Sequence, residues 1–196
     1  MLHAGLFRTL FDVQCFDLDA VESYRRDEAH LGMSASMYAN PHNRGAVVNR
    51  LDAMILGATE IDLDFNVNVT TGADGIIMGG SGGHADAAAG AKLALVTSRL
   101  NAGGYAKVVD QVGTVTTPGE TIDVLVTEAG IAVNPQRSEL RDRLVDAGLN
   151  VREMDDLRLQ ATRGAVRPRR PAAEDRPVAV VEYRDGTVSD VVALAT

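Results

Sequence analysis

The sequence has no tryptophan, and its aromatic residues amount to only 4%. A core built from it must be aliphatic and alanine-rich, with little help from packed rings. There is one cysteine, Cys15, which excludes an internal disulfide framework and suits a reducing cytoplasm. Between Gln14 and Phe16, this cysteine reads as a small buried hydrophobe. Positive charge is scarce: 19 Lys and Arg stand against 27 Asp and Glu, a net charge of -8. Such a balance is a poor match for nucleic acid. No apolar run approaches the roughly 20 residues of a membrane span. The opening residues Leu2, Leu6, Phe7, Leu10 and Phe11 are apolar, but Arg8 and Asp12 interrupt them and no small-residue cleavage site follows. They do not read as a signal peptide. His3, His30 and His42 are scattered without metal-ligand spacing, so no metal site is expected. There is no Gly-x-Ser-x-Gly nucleophile elbow, and Gly90-Ala91-Lys92 does not complete a phosphate-binding P-loop.

What is present is length and apolar content. The 196 residues, 45% of them apolar, suffice for one ordinary α/β domain with a sizeable core. The most informative stretch is Gly79-Gly80-Ser81-Gly82-Gly83-His84. Residues 60 to 69 before it alternate strictly between polar and apolar, which predicts one strand with two unlike faces. Residues 85 to 92 after it are small and helix-tolerant. Strand, glycine-rich loop and short helix therefore follow in order. Glycines remove the side chains that would keep a carbonyl, carboxylate or phosphate away from backbone amides. The loop reads as an oxyanion or acyl-group cradle, with Ser81 and His84 as side-chain donors. His84, at the helix start, suits a neutral donor or a proton shuttle.

Elsewhere, Leu6, Phe7, Leu10 and Phe11 have the spacing of a helix face, and an opening this apolar suggests the middle of a larger fold. Residues 93 to 97, 106 to 112 and 122 to 127 read as buried strands, with turns at Asn101-Ala102-Gly103-Gly104 and around Pro118-Gly119. Ser138 is placed to cap a helix that stops at Gly148, and a second helix is expected from Asp155 to near Gly164. Residues 165 to 177, rich in Pro, Arg and Ala, read as an exposed linker. Residues 178 to 192 read as a closing hairpin turning at Asp185-Gly186. Strands alternating with helices indicate an α/β layered domain.

Glu60, Asp62, Asp64, Asn66 and Asn68 share one face of the predicted strand. Like charges on alternate residues repel and Asn is a poor strand former, so this row predicts a cleft wall or a buried hydrogen-bond row. Glu128 follows a buried strand, where α/β sheets place functional groups. The loop also satisfies a relaxed dinucleotide pattern, Gly80-x-Gly82-x-x-Ala85, with Asp110 at a later strand end. A small nucleotide-binding module is thus an alternative, although only Ile76-Ile77-Met78 precedes the loop where a long apolar strand belongs.

Several strings occur in order: Tyr38-Ala39-Asn40-Pro41, Glu60-Ile61-Asp62, Phe65-Asn66-Val67-Asn68-Val69 and the glycine loop itself. Thr117-Pro118-Gly119-Glu120, Val126-Thr127-Glu128, residues 130 to 135 and Glu182-Tyr183-Arg184-Asp185-Gly186 follow. Together they resemble the alpha chain of bacterial citrate lyase, over essentially the whole sequence. That family is similar to the wider coenzyme A transferases, whose glycine-rich loop lies near the acyl group. The resemblance implies a layered CoA-transferase-like α/β fold, with 1–196 a single domain matching the C-terminal part of a longer family chain. It implies a cytoplasmic enzyme, a citrate CoA-transferase, that moves an acyl-carrier thioester from acetate to citrate. Transfer would pass through a mixed anhydride without a covalent enzyme thioester. No covalently bound cofactor is implied; the substrate is an acyl-carrier phosphopantetheine thioester or acetyl-CoA.

The implied partners are the beta (lyase) and gamma (acyl carrier) chains, in an oligomer, with the N-terminal half of the family chain or a partner needed for activity. The catalytic candidates are Gly80, Ser81, Gly82, Gly83 and His84, with Glu60 and Glu128; Gly79, Asn66 and Asn68 are candidates for holding the thioester-bearing arm. Two departures from the family stand out. Residues 101 to 105 occupy a place where basic residues are expected, and Ala129 one where arginine is expected. Less positive charge there weakens the case for tricarboxylate binding by this chain alone. The alternative from another class is a non-catalytic remnant or assembly module of the same complex.

Overall fold

A computed structural model describes every residue except Met1, His3, Arg170, Pro171 and Thr196. The first part runs β1 (Leu10–Asp12), α1 (Leu18–Arg26), β2 (His30–Gly32), α2 (Ala35–Ala39), β3 (Met54–Gly57), β4 (Glu60–Asp62), β5 (Val67–Asn68) and α3 (His84–Gly90). Then come β6 (Ala94–Thr97), β7 (Asn101–Ala102), β8 (Tyr105–Ala106), β9 (Val108–Val109), β10 (Val124–Thr127) and β11 (Gly130–Val133). The chain closes with α4 (Ser138–Asp146), α5 (Met154–Thr162), β12 (Ala173–Glu182) and β13 (Val188–Ala195).

The main sheet has the order β11-β10-β6-β3. β3, β6 and β10 are parallel, and β11 turns back antiparallel on β10. Parallel strands need covering on both faces. α3 packs on β3 and β6, and α5 packs on β8, β9 and β11. A smaller sheet, β5-β4-β9, stands beside it. The core is aliphatic, as the lack of tryptophan requires: Val48, Leu56, Ala87, Ala94, Val96, Val108, Ile122, Leu125 and Leu157 are buried, with Phe65 the lone buried ring in this cluster. The alanines of α3 matter here. Ala87 and Ala88 let the helix lie close to the sheet, and a Cβ on Gly90 would come within 3.0 Å of the Val48 carbonyl oxygen. Among the described residues, no helix is long and apolar enough to cross a membrane.

The α/β architecture and the terminal hairpin agree with the sequence reading; five local features differ. Residues 106 to 112 are not one buried strand: only Ala106, at the end of β8, and β9 (Val108–Val109) are extended, and the chain leaves the sheet at Asp110. Residues 60 to 69 are not one strand but two short antiparallel ones, with Glu60 opposite Asn68. The chain reverses through residues 63 to 65, and Phe65 takes a φ of +65°, rare for a non-glycine residue. Asp62 holds the turn: its Oδ1 accepts the amides of Asp64 and Asn66 at 3.1 and 2.9 Å. The apolar opening is not a helix: Leu6 and Phe7 lie in irregular backbone, and Leu10 and Phe11 enter strand β1 because Leu10–Asp12 find parallel partners in His30–Gly32. Arg137, not Ser138, occupies the cap position of α4, and no side chain caps it. The last part of the expected linker, from Ala173, is already strand β12, whereas Arg170 and Pro171 lie outside the described residues.

Candidate active site at the glycine-rich loop

The loop grows out of a small antiparallel closure, where Met78 donates to the Thr70 carbonyl at 2.9 Å and Thr71 bridges Ile77. From there to α3 the backbone carries no ladder. Among the described residues, no amide from Gly79 to Gly83 is spent on a hydrogen bond within the chain; the first that is, His84 N–H, donates to the Ser81 carbonyl. Gly79 and Gly80 are exposed with open space around them, and Gly82 has a φ of +54°. Unpaired amides in open space can bond an external oxygen at no cost to the fold. Gly83 differs: a Cβ there would meet Ala39 Cβ at 3.0 Å and Tyr38 Cε1 at 3.1 Å, so it is a close-packing glycine.

His84 faces inward. Its Nε2 lies 2.9 Å from the Gly57 carbonyl oxygen and its Nδ1 2.7 Å from Thr117 Oγ1. A carbonyl can only accept, so Nε2 carries the proton and Nδ1 accepts from the threonine hydroxyl. Burial pushes its pKa down and the bond to Gly57 opposes this. The ring is therefore a neutral strut joining the start of α3 to the end of β3 and to the turn at Thr117.

The loop faces the tip of the β12–β13 hairpin across a cleft of about 240 Å³, lined by Ser81, Gly82, Asp86, Thr116, Tyr183 and Arg184 among others. The hairpin is fixed in place because Asp190 Oδ2 accepts the Val115 amide at 2.7 Å. Its turn is self-braced: Gly186 donates to the Tyr183 carbonyl, and Thr187 donates amide and hydroxyl to Asp185. Arg184 Nε then reaches to 3.9 Å from Asp86 Oδ1. That oxygen is buried and has no hydrogen-bond partner. Burial pushes the Asp86 carboxyl up, and Arg184 pulls it down only in part. The cleft thus holds the free amides of Ser81 and Gly82, the Ser81 hydroxyl, the Arg184 guanidinium and the carboxylates of Asp86, Glu182 and Asp185, of which Asp86 has a buried oxygen without a hydrogen-bond partner. Asp86 and Arg184 are absent from the sequence-derived candidates. Arg184 had a signal, the Glu-Tyr-Arg-Asp-Gly string, but nothing local to Asp86 sets it apart from any acid in a first helical turn.

The remaining candidates lie elsewhere. Glu60 and Asn68 are buried together; Asn68 Nδ2 donates to Glu60 Oε2 at 3.2 Å and to the Thr71 carbonyl, and its Oδ1 accepts the amides of Thr70 and Thr71. Glu60 also accepts the Gly113 amide at 3.1 Å and lines a different cleft, beside Tyr105 and Asp110. Asn66 bridges Asp62 and the Gly119 amide. The polar row is thus largely a buried hydrogen-bond row, with Asp64 exposed. Glu128 is exposed and accepts the Leu100 amide through both oxygens at 3.1 Å. Asp110 pairs with Arg158 at 3.3 Å.

The sequence profile described as "Citrate lyase, alpha subunit" matches residues 1–194. The chain belongs to the citrate lyase alpha subunit family. It is 48% identical over 188 residues to the citrate lyase alpha chain of Escherichia coli K12, and 47% identical to that of Klebsiella pneumoniae. Each match covers 96% of this chain and 37% of the relative, so the chain spans well under half of the length of these proteins. The fold superposes with a TM-score of 0.92 and 43% identity on a Streptococcus mutans structure described as the alpha subunit of citrate lyase in complex with citrate. That match takes in 100% of this chain and 38% of the other. Membership in this family leaves the dinucleotide reading of the loop without support. The loop also follows a short antiparallel bridge, not the long parallel strand a dinucleotide fold requires.

Proposed function

We propose that this chain is the C-terminal part of a citrate CoA-transferase subunit, exchanging an acyl-carrier thioester between acetate and citrate in the cytoplasm. A citrate carboxylate attacks the acetyl thioester carbonyl, and the carrier thiolate leaves as an acetyl-citryl anhydride forms. The thiolate then attacks the citryl carbonyl and acetate leaves, giving the citryl-carrier thioester. Each attack builds negative charge on a carbonyl oxygen. The observation that carries this reading is the run of unspent amides from Gly79 to Gly83, with Ser81 and Gly82 at the cleft wall. Fixed amides aimed at such an oxygen stabilise it without reorganising during reaction.

The roles follow from position. Gly80, Gly82 and Gly83 supply backbone donors, and Ser81 adds a hydroxyl now making only a long 3.5 Å contact to the Gly82 carbonyl. Gly79 gives the arm of the thioester room to pass. His84 holds the loop against β3. Arg184 is the guanidinium in the cleft that meets a substrate carboxylate. Glu60, Asn66, Asn68 and Glu128 keep the frame by satisfying backbone amides. The citrate bound to the Streptococcus mutans relative supports the substrate class. Beta and gamma chains, with the rest of the family chain, complete the assembly.

The test is transfer from acetyl-carrier or acetyl-CoA to citrate in the complete assembly. Gly82→Val forces a β-branched residue into left-handed backbone and should cut transfer by on the order of 100-fold or more, the usual loss for one oxyanion donor. Unchanged transfer in a folded variant would sink the reading. The alternative, an assembly module, is favoured if Gly82→Val assembles normally and neither it nor the parent supports transfer.

A further inference from the structure

We propose that Asp12, Cys15 and His30 form a binding site for a divalent transition cation of the zinc class, with an open coordination position. His30 is remote in sequence from Asp12 and Cys15, but the parallel pairing of β1 and β2 sets Leu10 opposite His30 and Asp12 opposite Gly32. Side chains two residues apart share a strand face, so Asp12 and His30 meet on one side of the ribbon. The chain then turns back: Gln14 donates its amide to Asp12 Oδ1 at 2.8 Å, which carries Cys15 over the same carboxylate.

The geometry suits one ion. The three ligand atoms lie within 4.8 Å of one another. Asp12 Oδ2 is 3.3 Å from Cys15 Sγ and 3.5 Å from His30 Nε2. Tetrahedral zinc with ordinary bond lengths sets O, N and S ligands about 3.3–3.6 Å apart, so little movement is needed. One thiolate, one imidazole and one carboxylate favour zinc over calcium or magnesium, which take all-oxygen shells.

The surroundings point the same way. His30 is 6% exposed, held by the ring of Tyr24 edge-on and by Ser23 Oγ, 3.0 Å from Nδ1. Ser23 Oγ can donate to Nδ1 or accept from it. With Nδ1–H turned to Ser23, the Nε2 lone pair and the Asp12 carboxylate, 3.5 Å apart, are both free to bind one cation. A partner on the other ring nitrogen is what a metal-binding histidine needs to fix its tautomer. A cleft of about 970 Å³ opens on Asp12 and His30, rimmed by Asp17, Asp19, Asp27 and Glu28. Its arginine, Arg26, is already paired with Glu22. An acidic rim raises the local cation concentration. A second cleft of about 430 Å³ opens on Cys15, leaving space for water or another ligand in the fourth position.

Binding exchanges one proton. The Cys15 S–H, now donated to Asp12, passes to solvent; the thiolate and the freed carboxylate oxygen both bind the ion, with no change of oxidation state.

Cobalt(II) is the probe, added to the reduced, chelator-stripped 196-residue chain. We expect saturable binding of one equivalent, a thiolate-to-cobalt charge-transfer band, and displacement by zinc with a rise in melting temperature. Cys15→Ser should abolish the band, and Asp12→Asn should weaken binding at least tenfold. Ser23→Ala, which touches no metal, should weaken it by about 10–100-fold, as loss of a partner behind a histidine ligand does. Because His30 is buried, these three variants carry the test, with circular dichroism checking that each is folded. Absence of saturable cobalt binding overturns the proposal, as does binding that Cys15→Ser and Asp12→Asn leave unchanged.

Discussion

Arg184, at the tip of the terminal hairpin, lies 3.9 Å from the buried Oδ1 of the half-buried Asp86, in the first turn of the helix that leaves the glycine loop. The contact is too long for a hydrogen bond, so one Asp86 oxygen is left without a partner. Burial raises the Asp86 carboxyl above its ordinary 3.8. The folded state therefore binds the proton more tightly than the unfolded one. Stability is gained below the unfolded value and lost as pH rises through the window from 3.8 to the raised folded value. Asp86→Asn removes the charge, so it should melt higher than the parent at pH 7, by on the order of 2–4 °C for each kcal/mol gained in a domain of this size. The gain should shrink as the melts are repeated below that window. Arg184→Gln should shift melting the opposite way at pH 7. A lower melting temperature for Asp86→Asn at neutral pH would show that the pair is net stabilising.

His84 gives the opposite sign. Its pKa is pushed below the ordinary 6.5, so the folded state refuses a proton that the unfolded chain accepts. Its contribution is complete above 6.5 and is lost as pH falls from there through the depressed folded value. His84→Ala deletes the bonds to Gly57 and Thr117 and leaves the buried Thr117 hydroxyl without this partner, which costs about 1–3 kcal/mol. Thermal melts at several values between pH 5 and 7.5 should show the parent losing stability on the acid side. The His84→Ala variant, lower throughout, should lack that part of the slope. Parallel curves for the two proteins would contradict the buried neutral ring.

How far the sequence reading reached is best judged at particular residues. The glycine loop, the helix after it, the strands at Ala94–Thr97 and Val124–Thr127 and the terminal hairpin announce themselves locally, through glycine content, apolar runs and an Asp-Gly turn. The polar face of residues 60 to 68 was visible too, but not its reversal. That reversal depends on Asp62 binding two amides and on Gly119 donating to Asn66 from far along the chain. The opening was misread because Leu6, Phe7, Leu10 and Phe11 have helical spacing, whereas the decisive force is pairing with a strand that has not yet appeared in the sequence. Cys15, expected to be buried among hydrophobes, is half-exposed and donates to Asp12 at 3.3 Å. Asp86 and Arg184 meet only because the hairpin folds back over the loop. Contacts of this kind carry no local periodicity.

Glycines offer a sharp contrast between structure and chemistry. At Gly119 a Cβ would fall well inside contact with the Asp64 carbonyl oxygen and 2.8 Å from the Phe65 carbonyl carbon, both backbone and unable to swing away. At Gly80 a Cβ meets nothing within 4 Å. Gly119→Ala should lose at least about 3 kcal/mol, at the upper end of overpacking costs, because the β4–β5 turn must open. Gly80→Ala should unfold within about 0.5 kcal/mol of the parent. Urea unfolding followed by circular dichroism distinguishes them. Near-equal midpoints for the two variants would mean that the Asp62–Phe65 turn yields more easily than its packing implies.

Ligand titration separates the functional readings. The cleft offers the loop at Ser81 and Gly82, whose amides have no partner in the chain, and the guanidinium of Arg184 to a carboxylate or thioester oxygen. A dinucleotide site would instead need an acidic residue free to hold a ribose. Asp110 is engaged with Arg158 at 3.3 Å, and Glu60 is buried against Asn68 and the Gly113 amide. Calorimetry on the chain with acetyl-CoA, citrate and NAD should therefore give weak binding of the first two and none of NAD. The weakness follows from charge: Arg184 is the cleft's arginine, faced by Asp86, Glu182 and Asp185, and a tricarboxylate needs more than one cation. Adding the rest of the assembly should strengthen citrate binding, and Arg184→Gln should weaken it again. Saturable NAD binding that is lost in Asp110→Ala would overturn the transferase reading. Silence toward all three ligands in the complete assembly would leave this chain as a module that binds subunits and not substrate.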